Sequence, residues 1–109
     1  MADTYTPPAS VARAARRALE IRAAQAPSNR AGTRVGLSRA NQLAKRQPVS
    51  LETVKRMAAF FARHEKSPGA KEARKNPTSK AAQAWGLWGG NAGRAWANRT
   101  LRAHKRSTR

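Results

Sequence analysis

The side chains able to do chemistry are few, and most of them are cations. Five carboxylates, Asp3, Glu20, Glu52, Glu65 and Glu72, stand against 23 Lys and Arg. Each carboxylate has a local reading as a cap, helix-face or linker charge. The imidazoles are His64 and His104, and His64-Glu65 is not followed by a second His at the spacing of a helical zinc site. Without Cys there is no thiolate metal site and no disulfide framework. No Gly-x-x-x-x-Gly-Lys-Ser/Thr phosphate loop is present. These absences predict a chain with no catalytic residue, no metal site, no cofactor and no small-molecule substrate.

Two other patterns carry more. Gly90-Asn91-Ala92-Gly93 followed by Arg94 matches the Gly-x-x-Gly clamp of KH domains. The strands of a KH sheet are missing, and a tight helix–helix turn needs the same glycines. Trp85, Trp88 and Trp96 can be base-stacking platforms or core filling, and Arg94 and Arg99 flank Trp96. The shortage of large apolar residues favours core filling. Leu, Ile, Val and Phe number only 13 of 109 residues, whereas alanine numbers 24. That is below the roughly 20% at which high net charge begins to predict disorder. Any core must therefore come from helices packed closely on alanine.

The net charge of +18 is the strongest positive observation. It repels itself in a folded monomer unless a polyanion neutralises it. Nucleic acid is the commonest such partner, and an anionic membrane or an acidic protein comes second. No stretch approaches the ~18 apolar residues of a membrane span, and the first residues lack the pattern of a signal peptide.

Helices separated by Pro and Gly must position these groups. The spacing predicts one over residues 8–25, with Thr6 as cap and Val11, Ala14, Ala15, Ala18 and Leu19 inward. Arg13, Arg16 and Arg17 fall opposite, as a binding face or a solvated one. A loop follows, then a helix over 36–46 with Leu37, Ala40, Leu43 and Ala44 inward. The third helix starts at the cap Ser50, with Glu52 in its first turn and Val49 and Val54 as a hydrophobic staple. Leu51, Val54, Met57, Ala58 and Phe61 form its stripe, and Pro68-Gly69 closes it.

Residues 66–80 read as a mobile basic connection or arm containing Lys71, Arg74 and Lys75. Helices over 81–88, capped by Thr78 or Ser79, and from a cap at Asn91 to about 104 complete the chain. Arg102, Lys105 and Arg106 fall in a frayed basic end, 102–109. The expectation is a single small all-α domain of four to five short helices. It comprises N-terminal helices at 6–65, a basic linker at 66–80 and Trp-rich helices at 81–105.

The stretch GLSRANQLAKRQPVSLETVKRMAAFF resembles the recognition helix and following helix of phage-repressor-type helix-turn-helix domains. That resemblance implies that Arg39, Asn41, Gln42 and Lys45, with Ser38, point outward, with side chains suited to base edges in the major groove. Its connection is shorter than usual, and a loop at 27–34 replaces the preceding helix. A helical hairpin with a polar outer face fits the same residues.

A broader resemblance rests on TPPASVARAARRALEIR, GTRVGLSRANQLA, SLETVKRMAAFFARHE and AWGLWGGNAGRAWANRTL. Together they look like a basic segment recurring in uncharacterised, often head-associated, proteins of tailed bacteriophages. The family pattern has an acidic residue where Asn91 stands. The resemblance implies a phage source and a place in the host cytoplasm or virion interior. The resulting expectation is a non-enzymatic protein that holds nucleic acid, DNA favoured over RNA, mainly through phosphates. Its donors are Arg13, Arg16, Arg17, the 66–80 arm, Arg94, Arg99 and the C-terminal cations. The alternative is a virion structural or adaptor protein docking on an acidic capsid or host protein.

Overall fold

Alanine decides which helix faces meet. Val11, Ala12, Ala15 and Ala18 form the buried side of α1 (Ala9–Ala24), a stripe slim enough for three further helices to approach closely. The computed structural model describes residues 3–107. After α1 come α2 (Arg34–Ala44), α3 (Leu51–Lys66), α4 (Pro68–Ala73), α5 (Lys80–Leu87) and α6 (Gly90–Ser107). The fold is all-α, and α1 packs on α2, α5 and α6 while α3 packs on α6. Strand content among the described residues is one antiparallel ladder. In it β1 (Thr4–Tyr5) pairs with β2 (Val49–Ser50), tying the chain's start to the entry of α3.

The helix ends follow side-chain chemistry. Ser50 Oγ accepts from the Thr53 backbone N–H at 3.2 Å, and the staple residues Val49 and Val54 are both buried. Thr33 and Ser79 cap α2 and α5 in the same way. Thr6 caps nothing: Pro8 holds the N-cap position of α1 without a side-chain bond. Asn91 is not a cap either, because α6 begins at Gly90 and Asn91 Oδ1 accepts from Trp85 Nε1 at 2.9 Å. At the end of α2, Arg46 takes φ +53°, and Gln47 N–H reaches back to the Gln42 carbonyl. This is the left-handed closure usually given to glycine. Arg46 Nε then donates to the Pro7 carbonyl at 2.9 Å, fixing the N-terminal segment.

Two expectations change. The 66–80 stretch is not a structureless arm. Ser67 Oγ accepts from Ala70 N–H, and Pro68 occupies the first turn of α4, where its missing N–H costs nothing. The residue read as a stop therefore starts a sixth helix. The expected frayed end is helical through Ser107, and residues 108 and 109 lie outside the described residues.

One core cluster gathers Val11, Ala15, Leu43, Val49, Val54, Met57, Trp96 and Ala97; a second joins Ala18, Ala40 and Leu87, with Leu37 and Trp88 against it. Close approach is extreme at Gly86, where an added Cβ would sit 2.6 Å from Ala18 Cβ. At Gly93 the added atom would lie 2.6 Å from the Trp88 carbonyl oxygen, and Gly90 has φ +62°. The Gly-x-x-Gly pattern thus serves the turn between α5 and α6.

Candidate nucleic-acid interface

The outer faces of α2 and α3 meet in a shallow concavity. Val35, Arg39 and Gln42 recur at helical spacing on α2, beside Arg34 and Ser38, and Arg56 comes from α3. No carboxylate lines it. Arg39 is the most constrained cation. Its Nη1 donates to Gln42 Oε1 at 2.6 Å, and its guanidinium lies 5.8 Å from the centre of the Trp88 ring. Its Nε is buried and, among the described residues, has no acceptor. Burial first, and the nearby Arg56 charge second, pull Arg39 below the ordinary arginine pKa. Three guanidiniums in one concavity with no acid lining it make a place where an anion is stabilised.

The residues expected to read bases are not equally free. Arg39 and Gln42 share a side as expected, but they are bonded to each other. Asn41 is exposed, and its Nδ2 donates back to the Leu37 carbonyl at 2.9 Å. Lys45 is exposed at the C-cap of α2.

The other expected donors lie on separate faces. Arg13, Arg16 and Arg17 are exposed along α1 and line a shallow depression with Glu20 and Ile21. Lys71 is exposed on α4. Arg74 Nη1 donates to the His64 carbonyl at 3.1 Å while its guanidinium lies 4.0 Å over Trp85. Lys75 pairs with Glu72 at 3.0 Å, and Arg94 pairs with Glu65 at 2.6 Å. Arg74 and Arg94 are therefore committed to holding helices together. Arg99, Arg102, Lys105 and Arg106 are exposed on α6.

The tryptophans fill space between helices. Trp96 is buried in the main cluster. Phe60 stacks on Trp88 with centroids 5.0 Å apart, and Phe61 meets Trp85 edge-on at 4.8 Å.

Sequence reasoning missed Arg34 and Arg56. Arg34 lies one helical turn before Ser38, a spacing visible in the chain, whereas Arg56 joins it only through the packing of α3. Among the described residues no group of three or more His, Cys, Asp or Glu could hold a metal ion. No helix there is long and apolar enough to cross a membrane. Comparison with protein families, curated proteins and solved structures finds no match.

Proposed function

We propose that this chain is a non-enzymatic DNA-binding protein that holds its partner mainly through phosphates. The observation that carries the reading is charge without counter-charge. The chain bears +18, and among the described residues two ion pairs are formed. The remaining repulsion favours a polyanion, and binding releases that polyanion's condensed counterions. Arg34, Arg39 and Arg56 form the central contact, and Arg13, Arg16 and Arg17 on α1 with Arg99, Arg102 and Arg106 on α6 supply exposed cations on other faces. Base reading has no part in this proposal, because the Arg39 and Gln42 side chains are engaged with each other. The resemblance to phage head-associated segments supports action in the host cytoplasm or virion interior.

A competition measurement tests the reading. Labelled duplex DNA bound to the protein should resist polyglutamate and yield to unlabelled duplex of any sequence. Displacement by polyglutamate at equal charge concentration would transfer the basic surface to an acidic protein partner.

A further inference from the structure

A cleft distinct from the α2–α3 concavity runs between the 30–36 segment, the C-terminal half of α3, α4 and α5. It has a volume of about 650 Å³, within the size range of small-ligand sites. Trp88 contributes apolar surface over a floor of buried Leu87 and Phe60, and Gly36 and Ala84 leave the space open. No carboxylate lines it, and the cations at its edge include Arg63 and Lys80. Among the described residues neither of these two has a hydrogen-bond or ion-pair partner. Both are exposed.

One polar group inside has the same character. The Trp88 indole N–H has no acceptor among the described residues, and Gly36 allows approach to it. A Cβ at residue 36 would lie 3.5 Å from Trp88 Nε1. The cleft thus combines apolar walls, one available donor and two uncompensated positive charges. The complementary ligand is a flat apolar ring with acceptor atoms, covalently joined to an anion. An unpaired nucleotide has that chemistry, whereas a base within a duplex is held in its stack and cannot enter. Position adds to this. The Arg39 guanidinium lies against Trp88, so the phosphate-binding concavity and the cleft share a wall.

We infer that the cleft takes one unpaired base of single-stranded DNA, with an adjoining phosphate on Arg63 and Lys80. This rests on the DNA-binding reading above and adds a preference for single strands to it. The test compares anisotropy titrations of a short single-stranded oligonucleotide and its duplex, using the full chain and two variants. Ala84→Leu fills the cleft, and circular dichroism checks that its helices are retained. It should weaken single-strand binding about tenfold, the scale of one lost base contact, and leave duplex binding unchanged. Arg63→Ala with Lys80→Ala changes only exposed side chains, so it carries the test if Ala84→Leu fails to fold. It should reduce single-strand affinity more than duplex affinity. Equal losses on both ligands, or no loss on the single strand, overturn the cleft proposal while the phosphate reading stands. Failure of the unaltered chain to bind either ligand overturns the reading beneath it.

Discussion

Replacing Gln83 with leucine should unfasten the loop between α1 and α2 without changing core volume. Gln83 is 1% exposed. Its Oε1 accepts from Ala31 N–H at 2.9 Å, and its Nε2 donates to the Asn29 and Thr78 carbonyls, both at 2.8 Å. Leucine fills similar space but leaves these backbone groups without that partner. The Thr78 carbonyl keeps a bond from Asn29 Nδ2 at 3.1 Å, so its loss is partial. At about 1–3 kcal/mol for an orphaned buried group, the full loss at buried Ala31 and smaller losses at the half-buried Asn29 and exposed Thr78 carbonyls come to about 2–4 kcal/mol. That is a large share of the ~5–15 kcal/mol that holds a domain together. At ~4 °C per kcal/mol the melting temperature should fall by about 8–16 °C. Thermal and urea unfolding followed by circular dichroism measure it, with the urea slope unchanged if only native contacts are lost. A loss below about 0.5 kcal/mol, the scale of an ordinary surface change, would refute the claim that Gln83 clamps this loop.

Three further substitutions test separate parts of the structure. Gly86→Ala should destabilise by about 1–3 kcal/mol despite better helix propensity, because the new methyl meets Ala18; adding Ala18→Gly should recover much of that loss in thermal unfolding. Arg46→Gly should unfold at a higher temperature than Arg46→Ala, by about 1 kcal/mol of stability, since both lose the bond to Pro7 but glycine alone relaxes at φ +53°. Arg39→Ala should weaken duplex binding by a similar factor on every sequence and reduce the salt slope by about one, measured by anisotropy at several salt concentrations. A loss confined to one preferred sequence would instead restore base reading by α2.

What the sequence disclosed was local. Ser50 with Val49 and Val54, and Ser79 ahead of an alanine-rich run, mark helix starts through contacts only a few residues long. The inward stripes of α1 and α3 were equally legible, since period alone places Val11, Ala15, Val54 and Met57 on one side of each helix. Pro68 misled because proline both stops and starts helices, and the choice turned on Ser67 reaching Ala70 N–H. Gln83 carried no signal, because its partners Ala31 and Asn29 are more than 50 residues away in the chain. The candidate site divides in the same way. Arg39 and Gln42 were placed together by helical spacing. Arg56, and the commitment of Arg74 and Arg94 to Trp85 and Glu65, required the helices to be packed.

The central claim is that phosphates supply most of the binding energy, and salt measures this most directly. Affinity for a duplex should be determined across a range of monovalent salt, with the protein's helicity confirmed at each end. If about six phosphates are neutralised, log affinity should fall linearly against log salt with a slope near −5. A slope close to zero would contradict the account, because no binding mode built on Arg34, Arg39, Arg56 and the other exposed cations can ignore the counterions it displaces.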